Sequence, residues 1–205
     1  MNKASDFLIA LDDGHGINTI GKRTPIIPEI GRYIKENEFN KAVITIMDKY
    51  LRDIGFRTLL VAPTDKDTSL KARTDLANIK KADVYVSIHY DAVSNLWGEV
   101  EGHSIFVYPG NLNKKSGKLA ECIAEFLKQG TTQKWRGIKE LNLHVLRETN
   151  MPAILSENGF MNNLREAKLM IKQEFQNEVA TEHVKGICKY FGVAVEKNHK
   201  YNATN

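Results

Sequence analysis

Phe7-Leu8-Ile9-Ala10-Leu11-Asp12-Asp13-Gly14-His15-Gly16 decides how this chain folds. A continuous apolar run without polar alternation suits a strand covered on both faces, as in a parallel sheet. Asp12-Asp13-Gly14 then reads as a turn. A parallel partner strand requires a crossover, usually a helix. Residues 37–54 supply one, with Phe39, Val43, Met47, Tyr50 and Ile54 on a single face, and Gly55 stops it. The alternation continues: strand 56–61, helix 69–80 capped by Thr68 or Ser69 with Leu70, Arg73 and Ala77 aligned, and strand 83–88. Strand 103–108 ends at Pro109-Gly110, and helix 116–129 carries Leu119, Ala120, Ile123, Ala124 and Leu127 on one face. Short strands at 143–146 and 152–155 and helices at 163–172 and 174–191 complete the chain. The expected fold class is α/β: a single domain with a mostly parallel central β-sheet of about six strands flanked by about five helices.

Length and composition agree. The 205 residues are 42% hydrophobic and 26% charged, which suits one globular core and excludes wholesale disorder. No apolar run is long enough to cross a bilayer, and Met1-Asn2-Lys3-Ala4-Ser5-Asp6 makes a poor export signal. Net charge is +4, a mild excess that favours an anionic partner. The basic residues are scattered, without aromatic interleaving, so no nucleic-acid partner is expected. Cys122 and Cys188 fall beside apolar neighbours in helices and read as buried free thiols. Residues 1–192 are taken as the domain, and the polar 193–205 as a tail or linker stub.

The chemistry-bearing residues gather at one edge. His15 follows the first strand between two glycines, His89 ends the third in Ser87-Ile88-His89-Tyr90-Asp91, and Glu157 ends the last in Leu155-Ser156-Glu157-Asn158-Gly159-Phe160. In open α/β sheets, ligands bind at the carboxyl ends of strands. Glu36 opens the first helix on its apolar stripe, whereas Glu38 points about 160° away. A carboxylate on that stripe needs a partner, either a divalent metal or an arginine. Alone, Glu36 also suits the helix dipole, and each histidine alone suits a structural hydrogen bond. Together, two imidazoles and a carboxylate from three segments are donors that a catalytic zinc uses, with a fourth position left for water. Glu157 is then available to move that water's proton. His103 and His144, placed in or at strands, border the site, and His183 and His199 read as surface residues.

Six blocks in order resemble the zinc-dependent N-acetylmuramoyl-L-alanine amidases of the amidase-3 family, over about residues 7–192. They are Leu11-Asp12-Asp13-Gly14-His15-Gly16, Glu36-Asn37-Glu38-Phe39-Asn40, Leu70-x-x-Arg73 with Ala77-Asn78, Ser87-Ile88-His89-Tyr90-Asp91-Ala92, Arg136-Gly137-Ile138-Lys139 with Val145-Leu146-Arg147-Glu148-Thr149, and Glu157-Asn158-Gly159-Phe160 with Asn163. The resemblance implies one Zn2+ per chain on His15, Glu36 and His89, and Glu157 as the catalytic base. It implies a peptidoglycan substrate cut between N-acetylmuramic acid and the L-alanine of the stem peptide. Tyr90, Asp91, His103, Arg147 and Asn158 are candidate substrate contacts. Asp13, Ile17, Tyr90 and Asn158 depart from the family pattern without removing a candidate ligand. Residues 17–35 are unlike the short family connection and are expected to form a lid or substrate wall.

Two other readings compete: a zinc hydrolase of another amide (a carboxypeptidase or deacetylase), and a non-catalytic wall-binding module. The expected context is a monomer without membrane insertion, made in the cytoplasm and acting on the bacterial cell wall after release by phage lysis or mother-cell lysis.

Overall fold

The computed structural model describes residues 2–194; His199 and nearly all of the 193–205 tail lie outside the described residues. Its elements are β1 (Leu8–Asp12), α1 (Glu36–Ile54), β2 (Arg57–Leu60), α2 (Leu70–Ile79), β3 (Val84–Asp91), β4 (His103–Val107), α3 (Lys115–Gly130), β5 (Trp135–Glu140), α4 (His144–Arg147), β6 (Ala153–Phe160), α5 (Leu164–Leu169) and α6 (Gln173–Phe191). The sheet runs β2-β1-β3-β6-β4-β5. The first four strands in that order are mutually parallel, β4 is antiparallel to β6, and β5 runs parallel to β4. The expected α/β class and mostly parallel six-stranded sheet are therefore observed.

Helices cover both faces. Phe39, Val43 and Met47 of α1, Leu119 and Ile123 of α3, and Val184 and Ile187 of α6 bury against Ile9, Leu11, Val84, Val86 and Ile88. On the other face, Ala77 of α2 and Val145 and Leu146 of α4 pack on Ala10, Tyr85 and Leu155. Gly55 ends α1 at φ +104°, and Ser69 caps α2 by accepting a hydrogen bond from the Ala72 N–H. Both cysteines are buried free thiols. No described helix is long and apolar enough to cross a membrane.

Four local expectations are corrected. Residues 143–146 are largely helical, within α4, and the sixth strand is Trp135–Glu140. A four-residue apolar run carries no period that separates helix from strand. Trp135-Arg136-Gly137-Ile138-Lys139-Glu140 is a half-exposed edge strand whose charges hide it. Leu70 is exposed, and α2 buries Arg73, Thr74 and Ala77 instead. His183 is fully buried because α6 is covered on more than one side; its Nδ1–H donates to the Val179 carbonyl at 2.7 Å.

Residues 17–35 form a folded flap. Arg23 pairs with Lys35 and Ile27 with Arg32 in antiparallel bridges, and Ile27, Ile34 and Thr24 are buried. The Thr24 N–H donates to the Ile34 carbonyl and the Ile34 N–H to Thr24 Oγ1, both at 2.9 Å.

Candidate metal centre

Three chain segments converge at the carboxyl end of the sheet. His15 sits in the turn after β1, Glu36 is the first residue of α1, and His89 lies near the end of β3. Among the described residues these three form the one group whose ligand atoms all lie within 4.8 Å of one another. Glu36 is 1% exposed. Its Oε1 lies 2.9 Å from His89 Nδ1 and accepts from the Tyr90 N–H at 3.2 Å and from Asn40 Nδ2 at 3.3 Å. Its Oε2 lies 3.4 Å from His15 Nε2 and has no hydrogen-bond partner.

Electrostatics suit a cation here. Burial works to raise the Glu36 pKa, but the hydrogen bond and charge of His89, with His15 and Lys22, outweigh it and hold the carboxyl below the ordinary range. Burial lowers His15 to about 4, so its imidazole is neutral and ready to donate a lone pair at physiological pH. A buried carboxylate oxygen lacking a donor, beside a neutral imidazole and a second histidine, fits a divalent ion of the zinc type.

Other residues hold this arrangement. His15 adopts φ +57°, a left-handed conformation that a side chain rarely takes, so its turn must be pinned. Asn37 Nδ2 donates to the carbonyls of Asp13, Gly14 and His15 at 3.4, 3.4 and 3.1 Å, and Asn40 Nδ2 to that of Gly14 at 3.3 Å. From the other side comes Arg73, itself 1% exposed. Its Nη2 donates to the His15 carbonyl at 3.0 Å and its Nε to the Thr68 carbonyl at 2.8 Å, while Nη1 pairs with Asp12 and Asp13. Ser87 Oγ donates to Asp12 Oδ2 at 2.7 Å. Gly14 has no room for a Cβ, which would lie 2.5 Å from the His89 ring.

Glu157 stands in mid-β6, not at its end, and pairs in register with His89 across the parallel β3–β6 ladder. Its Oε2 is buried without a hydrogen-bond partner. Burial, and then the charges of Glu36 and Asp91, push its pKa well above the carboxylate range. A carboxyl raised in this way readily takes up a proton.

The structure separates the candidate substrate contacts. Asp91 is partly exposed and within the field of Glu36, and its Oδ1 accepts from the Ala92 N–H at 2.7 Å. Tyr90 does not line the cleft. Strand alternation turns it into the core, its ring lies edge-on to Phe39 at 4.9 Å, and its hydroxyl donates to the Glu166 carbonyl at 2.9 Å. Asn158 is buried and donates to the His89 carbonyl at 3.0 Å, so it braces β3 against β6. His103 is buried beside Thr131 and Trp135. Arg147, at the end of α4, is engaged by Glu148 and Asn142, which flank the helix; His144 also lies on α4, not in a strand. Sequence reading alone left Asn37, Arg73 and Lys22 without roles. Arg73 had a signal in its place on an otherwise small, buried helix face, and Asn37 in its place beside Glu36; Lys22 had none.

Comparison with known proteins matches residues 9–189 to the sequence profile of the N-acetylmuramoyl-L-alanine amidase family Amidase_3. N-acetylmuramoyl-L-alanine amidase CwlM of Bacillus licheniformis is 34% identical over 187 residues, covering 91% of this chain and 69% of that protein. The endolysin of Bacillus phage SPP1 is 32% identical, covering 89% of this chain and 65% of the endolysin. Among solved structures, an N-acetylmuramoyl-L-alanine amidase from Clostridium difficile 630 superposes with a TM-score of 0.83 at 30% identity, covering 93% of this chain and 98% of that one.

Proposed function

This chain belongs to the Amidase_3 family of N-acetylmuramoyl-L-alanine amidases, and from that premise we propose that His15, Glu36 and His89 hold one Zn2+ per chain, with Glu157 as the proton carrier. The chain is a peptidoglycan amidase that hydrolyses the amide between the lactyl group of N-acetylmuramic acid and L-alanine. A zinc ion at such a donor set polarises a carbonyl and brings the pKa of a bound water near neutrality.

The residues divide the remaining work. Glu157 accepts the proton that the attacking water loses as its oxygen bonds to the carbonyl carbon. It returns that proton to the alanine nitrogen as the carbon–nitrogen bond breaks, leaving a lactyl carboxylic acid and a free amine, and the acid then ionises to solvent. Glu36 and His89 stay fixed by α1 and β3, while Arg73, Asn37 and Asn40 keep the His15 turn from relaxing. We assign substrate contact to Asp91, at the end of β3, and a wall of the site to the 17–35 flap, whose Lys22 Nζ lies 3.9 Å from Glu36 Oε2.

The observation that carries this reading is the buried Glu36 Oε2, which accepts no hydrogen bond, beside two histidines. The test combines metal analysis of the purified protein with end-group analysis of digested peptidoglycan. One zinc per chain and new N-terminal alanine without new reducing sugar are expected. Released acetate or a free terminal amino acid points to a deacetylase or carboxypeptidase. Binding of walls without lysis points to a binding module. Glu157→Gln is expected to abolish lysis while leaving zinc content intact. We further propose that residues 1–192 act as a monomeric catalytic domain on the bacterial cell wall.

A further inference from the structure

Lys22 lies on the flap, outside the blocks that carry the family resemblance, yet it is built into the centre. Gly21 turns the chain at φ +78°, and the Lys22 carbonyl then accepts the N–H of Glu36 at 3.0 Å. The Arg23–Lys35 bridge and the Thr24–Ile34 hydrogen bonds lock this junction. The root of the side chain is thus tied to the backbone of the central ligand. Its Nζ stands 3.9 Å from Glu36 Oε2 with 44% of the side chain exposed. Lys22 is also the cation whose field reaches His15, Glu36, Asp91 and Glu157 together.

The pairing is loose, and a half-exposed ion pair at that distance contributes little to stability. Lys22 is therefore a poor structural strut, but it is placed to meet charge that develops nearby. Amide hydrolysis through Glu157 places negative charge on the carbonyl oxygen in the tetrahedral state. His15, Glu36 and His89 are committed as ligands, and Glu157 and Asp91 are acidic. Arg136 reaches Asp91 too, but its guanidinium stacks over Phe160 at 5.2 Å and donates to the Glu101 carbonyl at 3.0 Å. Resting on the amidase reading of this site, we infer that Lys22 is a further catalytic residue, whose ammonium donates a hydrogen bond to the carbonyl oxygen of the scissile amide as that oxygen becomes negative. Lys22 takes no part in the proton transfer through Glu157.

The test compares Lys22→Met and Lys22→Arg with the unaltered protein on soluble muropeptide, together with zinc affinity measured against a chelator. Loss of a donor that acts only on developing charge lowers kcat by about 10²-fold with KM little changed. Lys22→Arg is expected to recover part of that loss. Zinc affinity of Lys22→Met is expected to hold or rise, because a cation beside Glu36 Oε2 opposes the metal. An unchanged kcat, a loss confined to KM, or weaker zinc binding in Lys22→Met overturns the inference. Zinc uptake and new N-terminal alanine from the unaltered protein uphold the site reading whatever Lys22 does, so the two fail separately.

Discussion

Removing Arg73 should cost both stability and metal. The guanidinium is 1% exposed and ties Asp12, Asp13, Thr68 and the His15 carbonyl into one cluster. Arg73→Met leaves two buried carboxyl groups without their cation, a loss of about 3–5 kcal/mol when one partner of a buried pair is deleted. For a chain of this size, each kcal/mol lowers Tm by about 2–4 °C, so a fall of about 6–20 °C is expected. Asp12 gives the effect a pH signature. Burial works to raise its pKa, but Arg73, His89 and Ser87 hold it below the ordinary 3.8. A depressed carboxyl contributes stability above its unfolded pKa and loses it as pH falls through the folded one. Without Arg73 that contribution goes, and acid unfolding starts at a higher pH. Arg73→Lys keeps the charge but not the fork, and should fold with a smaller loss. The freed His15 turn should weaken zinc binding about 10–100-fold. Urea unfolding at several pH values and chelator competition on both variants measure these quantities. Arg73→Met within about 1 kcal/mol of the parent, or Arg73→Lys with parental zinc affinity, would refute the reasoning.

Three further outcomes follow from the packing. Glu182 is buried with both carboxylate oxygens unpartnered; burial, then the charge of Glu178, push its pKa to about 9 against the pull of Lys185. A raised carboxyl makes stability fall as pH climbs from about 4.5 to about 9, so Glu182→Gln should melt higher than the parent at alkaline pH and equally near pH 4.5; parallel melting curves across pH would contradict this. Gly186→Ala would set a Cβ 2.4 Å from Ile123 Cα where α6 crosses α3, and overpacking of about 1–3 kcal/mol should exceed the helix-propensity gain of about 1 kcal/mol; a raised Tm would count against that close approach. Tyr90→Phe deletes a buried donor to the Glu166 carbonyl and should cost about 1–3 kcal/mol with kcat/KM unchanged; a kinetic defect in the folded variant would return Tyr90 to the cleft.

Local periodicity settled much of this protein before any coordinates. The apolar run into β1 demanded a sheet buried on both faces, and the α1 stripe selected Glu36 over Glu38 because a helix turns about 100° per residue. The observed Glu36 is buried, while Glu38 reaches back to accept the Lys35 N–H at 2.8 Å. Ordered motif blocks carried the family and hence the chemistry. Tertiary structure alone decided the rest. It set the antiparallel β4, the edge strand β5, the inward turn of Tyr90 and the burial of His183. It also brought Arg73 to Asp12 across 61 residues of chain and Lys22 to Glu36 through the flap. Sequence period reports which side of an element is apolar. Which polar group answers a buried charge depends on distances between distant segments, and those exist only once the layers have packed.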